Sequence, residues 1–172
     1  DDLAGLIAEY DVGELVSVKG IAEGVSNSNW LVETSGGRFI LTMYEHRVDA
    51  ADLPFFLGLL DHLSSKGSPV PRTIHDRAGA AFRTIHGKAV ALIEFLPGVS
   101  VDTPRTAQAR AVGEALAGIH LAAADFPQER ANTMGLAAWA KLLGDCGERL
   151  AEIGPGLPGL VVRELEFLEA NW

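Results

Sequence analysis

The chain has 172 residues, 48% of them hydrophobic and 22% charged, with a formal net charge of −9. That length and composition suit one soluble domain or two small lobes around a real core. The acidic balance, with 14 scattered basic residues and no basic run, excludes a nucleic-acid or anionic-membrane surface. Apolar runs fall far short of the ~20 residues that cross a bilayer. The chain opens Asp1-Asp2, without initiator Met or basic leader, so a trimmed start and no secretory signal are expected. Cys146 is the single cysteine and has no internal disulfide partner, which fits a reducing cytoplasm; it is expected to be packed. His46, His62, His75, His86 and His120 lack ligand spacing, so no metal site is expected from them.

The predicted elements change character along the chain. Residues 3–10 (LAGLIAEY) read as a short helix, Leu15–Val18 as a strand, and Trp30–Glu33 as a second strand. Ser35-Gly36-Gly37 is a tight turn into a paired strand, Arg38–Tyr44. A helix starts near Asp52, with Asp49 and Asp52 as candidate caps and Pro54 in its first turn. Phe56, Leu59, Leu60 and Leu63 recur at helical spacing and predict its buried stripe; Gly67 is a stop. Pro69-Val70-Pro71 forces an extended exit. Strands are expected over Ala81–Ile85 and Ala89–Leu96, and Pro97-Gly98 is the best lobe boundary.

Helical signals dominate thereafter. Thr103-Pro104 is a cap followed by proline, opening a helix over residues 104–125 with Val112, Leu116, Ile119 and Ala123 on one apolar face. Further helices are expected over 136–152 and 161–171. An antiparallel sheet with one inserted helix, followed by a helical lobe, is an α+β arrangement. The expected lobes are residues 1–96 and 97–172.

The stretch Gly24-Val25-Ser26-Asn27-Ser28-Asn29 reads as a polar turn joining two strands. Gly24 permits close backbone approach, and successive N–H groups in such a turn can cradle phosphate oxygens. Most Ser/Asn/Gly turns simply turn. The order of elements sharpens the reading, because a kinase small lobe has the same order. Such a lobe sets phosphates under the first hairpin and adenine against the connector. There the Glu94 carbonyl can accept from the amino group and the Leu96 N–H can donate to a ring nitrogen. The plain alternative for ALIEFLPG is a buried strand running into a loop.

These residues resemble a known family. The strings EGVSNSNWLVET, GGRFILTMYEHRV, DLPFFLGLLDHLSSKGSPVPRTIHD, ALIEFLPG and VGEALAGIHLAAADF are similar to the choline kinase and aminoglycoside phosphotransferase group, which has a protein-kinase-like fold. Within it the chain looks most like the bacterial homoserine kinases of the kinase-like type. The resemblance implies ATP as phosphoryl donor, Mg²⁺, and L-homoserine as the alcohol acceptor, on the route to threonine. It implies that Gly24, Val25, Ser26, Asn27, Ser28 and Asn29 lie over the ATP phosphates, and that Glu94 and Leu96 read adenine.

Two departures stand out. The usual third-strand Lys is replaced by Thr42, whose hydroxyl is expected to face phosphate. The helix that should supply its Glu partner carries Phe55 and Phe56. Losing both charges together strands neither, and Arg47 is a possible substitute cation. The family's H-x-D-x-x-x-x-N catalytic loop and later metal-binding Asp match nothing in these residues; His75-Asp76 reads as loop chemistry and His120 as a packing or hydrogen-bonding histidine. No catalytic residue and no metal ligand is therefore assigned, and the chain alone, read as the first half of such a kinase, is expected to be inactive. Competing readings are a choline, methylthioribose or aminoglycoside kinase, and a non-catalytic nucleotide-binding module.

Overall fold

The computed structural model describes residues 2–22, 26–45 and 49–171. They divide into two compact units that meet in sequence between Glu129 and Arg130. The first contains α1 (Asp2–Ile7), β1 (Leu15–Ile21), β2 (Asn27–Thr34), β3 (Gly37–Tyr44), α2 (Leu53–Ser65), β4 (Thr73–Ile74), β5 (Arg83–Ile85), β6 (Lys88–Glu94) and α3 (Thr106–Ala123). The strands form one antiparallel sheet in the order β1-β2-β3-β6-β4, with β5 also paired to β6.

Both faces of the sheet are covered at β6. Val90 and Leu92 of β6 join Leu6, Ile7, Tyr10, Val12, Val32 and Leu41 in one buried cluster. Ala89 and Ala91 join Leu53 and Leu57 of α2 in the other. Alternate side chains of a strand point to opposite faces, so a strand covered on both sides reads as an unbroken apolar run. That is the physical reason for the string AVALI. Small alanines on one side let α2 approach closely.

The N-terminal segment is pinned to the β2–β3 turn. Ser35 N–H donates to Glu14 O at 2.8 Å and Gly36 N–H to Val12 O at 3.2 Å. Glu14 N–H donates to Ser35 Oγ at 2.9 Å, and the Thr34 hydroxyl donates to Val12 O. A Cβ on Gly36 would lie 2.5 Å from Val12 O. A second hairpin, β5–β6, turns through His86 and Gly87, both left-handed at φ 49° and 78°, the geometry of a two-residue hairpin loop.

Several boundaries differ from expectation. The first helix ends at Ile7 instead of residue 10, because Tyr10 is drawn into a bridge with Asp76. β1 runs on to Ile21, and β2 begins at Asn27, three residues before Trp30. The strand expected over Ala81–Ile85 shrinks to Arg83–Ile85, and β4, too short for any periodicity, forms on the free edge of β6. The buried residues of α2 are Leu53, Leu57 and Leu63, whereas Phe56 is 39% exposed. Asp49 accepts from Ala51 N–H, capping a 3₁₀ turn (Ala50–Asp52) that leads into α2. α3 starts at Thr106, not after Thr103, since the Gln108 side chain accepts the Arg105 N–H at 2.8 Å.

Val112 and Leu116, expected on its packed face, are exposed. α3 is held to α2 by polar contacts instead. His62 Nε2 donates to Ala122 O and lies 3.0 Å from Asp125 Oδ1; Lys66 Nζ reaches Ala122 O and Asp125; Phe126 packs on Phe55 and His62. The Lys66 and His62 hydrogen bonds hold the Asp125 carboxyl below its ordinary range.

The second unit contains α4 (Leu136–Cys146), α5 (Leu150–Ile153) and α6 (Leu157–Asn171). The single helix expected over 136–152 breaks at Gly147, which adopts φ 53°. The last helix starts at Leu157, ahead of the expected residue 161. Cys146, the last residue of α4, is exposed, contrary to the packed position expected of it. Among the described residues no helix is long and apolar enough to cross a membrane.

Three outcomes follow for stability. Gly36→Ala drives its methyl into Val12 O and should cost roughly 2–4 kcal/mol in urea unfolding. Tyr10 is fully buried and its hydroxyl has no partner among the described residues; burial first, then the nearby Asp76, push its phenol up to about 12. Tyr10→Phe removes that desolvated hydroxyl and should be neutral or stabilise by up to about 1 kcal/mol in the same assay. His75 has Nδ1 3.0 Å from Gly79 O and Nε2 2.6 Å from Asp61 Oδ2. Two acceptors favour the imidazolium, so its pKa rises above 6.5, through Gly79 first and then Asp61, with the Asp76 charge adding to it. The stabilisation is complete below pH 6.5 and is lost as pH rises through the elevated folded value. The melting-temperature advantage of the wild type over His75→Gln should shrink across that rise.

Candidate functional site

The polar stretch expected as a turn is mostly strand. Gly24 and Val25 lie outside the described residues, as does Arg47. Ser26 precedes β2, while Asn27, Ser28 and Asn29 pair in register with Tyr44, Met43 and Thr42. Asn is a poor strand former, but here Ser28 and Asn29 make cross-strand hydrogen bonds. Asn29 Oδ1 accepts from the Thr42 hydroxyl at 2.8 Å. Ser28 donates to Glu45 Oε1 at 2.9 Å, and Lys88 Nζ bonds Glu45 Oε2 at 2.6 Å.

Alternation sorts these groups by face. Directly opposed residues share a face, so Asn27, Asn29, Thr42 and Tyr44 lie with Ala89 and Ala91 on the α2 side. Ser28, Trp30, Met43 and Lys88 lie with Val90 on the α1 side. Burial pushes the Tyr44 phenol up. Among the described residues Asn27 Oδ1 is buried without a partner, an acceptor that only a donor group could satisfy.

Thr42 corrects one expectation. It is 7% exposed and its hydroxyl is committed to Asn29, so it is not itself an open phosphate donor. The α2 positions that would supply a Glu are aromatic: Phe55 packs edge-on against Phe56 and Phe126, with centroids 5.5 and 5.6 Å apart. The carboxylate within α2, Asp61, is turned to β4, accepting from Thr73 N–H at 3.1 Å and pairing with His75.

At the opposite end of the sheet β6 runs into the connector. Glu94 closes the strand opposite Phe39, with its N–H donating to Arg72 O at 3.0 Å and its carboxylate accepting from Arg72 N–H at 3.3 Å. Phe95 lies under the Arg38 guanidinium at 4.8 Å. Leu96 is 46% exposed and follows in an irregular segment. The two ends of one sheet thus hold the two groups of residues singled out in the sequence.

His75 and Asp76 do not join either group. Asp76 is buried, accepts from Ala78 and Ala80 N–H groups at 2.9 and 2.8 Å, and pairs with Arg83. The Ala80 bond first, then Arg83 and Ala78, hold its carboxyl below the usual range. This is loop-closing chemistry. His120 is exposed. Among the described residues no three His, Cys, Asp or Glu side chains gather to hold a metal ion, so these residues do not fit a Mg²⁺ centre.

Sequence reasoning missed the Asn29–Thr42 pair, although the signal was present. The turn at Ser35-Gly36 sets Thr34 opposite Gly37, and equal steps back along both strands bring Asn29 to Thr42.

Comparison with known proteins agrees with this architecture. The profile of the Phosphotransferase enzyme family matches residues 17–172. A homoserine kinase of Beijerinckia indica is 46% identical over 171 residues, 99% of this chain and 53% of that protein. One of Caulobacter sp. (strain K31) is 46% identical over 172 residues, 100% of this chain and 54% of that protein. The chain therefore spans about half the length of these relatives. A spectinomycin phosphotransferase, solved in complex with ADP and spectinomycin, shares the fold at TM-score 0.60 and 11% identity, over 87% of this chain and 46% of that one. With the family profile running from residue 17 to residue 172, the chain belongs to the phosphotransferase enzyme family.

Proposed function

We propose that this chain is the ATP-facing portion of a kinase that phosphorylates the side-chain hydroxyl of L-homoserine. The observation that carries the reading is 46% identity to a homoserine kinase across 99% of the chain. The relatives are about twice as long, and the activity is proposed for a protein of that length.

In this reading residues 1–96 are the nucleotide lobe and 97–172 begin the helical substrate lobe. The stretch from Gly24 to Asn29 is the proposed phosphate segment, since successive backbone N–H groups can cradle anionic oxygens; Asn27, Ser28 and Asn29 enter β2 there, paired with Tyr44, Met43 and Thr42. The Glu94 carbonyl and Leu96 N–H meet adenine. Leu96 supports this: its N–H has no acceptor among the described residues, an open donor beside an exposed apolar side chain.

Phosphoryl transfer to an alcohol needs a group to accept or orient the hydroxyl proton and cations to carry the developing charge. None of the residues of this chain is assigned to either task. Mg²⁺, when bound, would neutralise phosphate charge. Such a reaction draws on cytoplasmic ATP, and the cytoplasm is its proposed compartment.

Calorimetric titration with ATP and coupled measurement of ADP release test the proposal. The 172-residue chain should bind ATP and turn over no homoserine. A protein of the relatives' full length that carries this chain should release ADP faster with L-homoserine than with choline, methylthioribose or an aminoglycoside. A greater response to one of those alcohols reassigns the acceptor. ATP binding with no response to any alcohol indicates a non-catalytic nucleotide module.

A further inference from the structure

Opposite charges line one cavity of the first unit without pairing with each other. The cavity holds about 540 Å³ and is walled by the N-terminal segment, the β2–β3 turn and β4, with Asp11, Gly36, Phe39, Arg72, Ile74 and His75 lining it. That volume suits a small-molecule site. Phe39 and Ile74 are half-buried and pack on the cluster of Val90 and Leu92, so the floor is apolar and lies on the α1 side of the sheet. None of these residues is assigned to ATP.

The charged groups on its walls are uncommitted. The Glu94 carboxylate accepts the Arg72 backbone N–H at 3.3 Å and comes only to 3.9 Å of Arg72 Nε. The Arg72 guanidinium therefore makes no hydrogen bond among the described residues, and its side chain is 63% exposed. The Asp11 carboxylate is exposed and has no partner among them either. Asp11 and Arg72 form no ion pair, so a gap separates the cation from the anion. His75 adds a wall but no free donor, since Gly79 O and Asp61 engage its two ring nitrogens. A gap of this kind suits one ligand chemistry. The guanidinium fork matches a carboxylate, and a carboxylate accepts from an ammonium. An anion alone is repelled by Asp11 and a cation alone by Arg72. A zwitterion satisfies both.

We infer that this cavity binds a free α-amino acid with a small apolar side chain, its carboxylate on Arg72 and its ammonium on Asp11. The side chain rests on the floor of Phe39 and Ile74. The site goes beyond the nucleotide reading and does not depend on it. It is a near neighbour of the connector all the same: Arg72 O accepts the N–H of Glu94, the last residue of β6, at 3.0 Å.

The probe is L-valine, titrated into the unaltered chain and followed in ¹H–¹³C and ¹H–¹⁵N spectra at the Ile74 methyls and the Arg72 Nε–H. Isobutylamine and 3-methylbutanoate, which each keep one of its two charges, are the controls. L-Valine should move both signals and saturate. Each control should bind about tenfold more weakly or worse, the loss of one hydrogen-bonded charged contact. Arg72→Gln and Asp11→Asn, both at exposed side chains, should each weaken L-valine by about the same tenfold factor. The spectra of the unaltered chain are independent of whether a variant folds. Signals at Ile74 and Arg72 that L-valine leaves in place overturn the inference, as does a control that binds as tightly as L-valine. So do variants that bind L-valine as the wild type does. Each of these outcomes leaves the nucleotide reading intact, and a chain that responds to L-valine but binds no ATP overturns that reading alone.

Discussion

Strand β6 has no exposed face, and the rest of the first unit is arranged around that constraint. One edge pairs with β3, the other is shared by β4 and β5. Val90 and Leu92 bind the α1 side of the core, while Ala89 and Ala91 receive α2. A strand in that position must be apolar on both sides, and it dictates register to its neighbours. Because β6 is held so tightly, its two ends are well-defined places: the connector at Glu94, and the polar corner where Asn27 and Asn29 meet Tyr44 and Thr42.

The polar corner trades charge for dipoles. A buried cation needs its counter-ion nearby, and α2 offers hydrophobic and aromatic side chains where one would stand. Phe55 instead locks against Phe126, which follows α3. The same helix therefore seals the sheet with Leu53 and Leu57 and captures the end of α3 through His62, Lys66 and Phe126. Hydrogen bonds to the Ala122 carbonyl and the Asp125 carboxylate fix α3 at its C-terminal end. The apolar residues Val112, Leu116 and Leu121 stay exposed along its length.

The N-terminal segment does comparable work on the α1 face. Val12 O receives both the Gly36 N–H and the Thr34 hydroxyl, and Tyr10 fills the core beneath it. Glycine at position 36 is required by that close approach, a demand invisible until the two segments are brought together.

Local signals carried much of the architecture. The Ser35-Gly36 turn, the Gly67 stop and the apolar run of β6 were legible because each depends on neighbours in sequence. So were the antiparallel sheet with its inserted helix and the family resemblance, which rests on the order and spacing of short strings. Which apolar stripe of α2 is buried, where β2 begins, and that Cys146 is exposed were decided only by tertiary structure. The same holds for the partner of Thr42. A hydroxyl seen alone has no preferred partner. Once β2 and β3 pair, the amide oxygen of Asn29 stands at hydrogen-bond distance, and desolvation makes leaving that bond unmade costly.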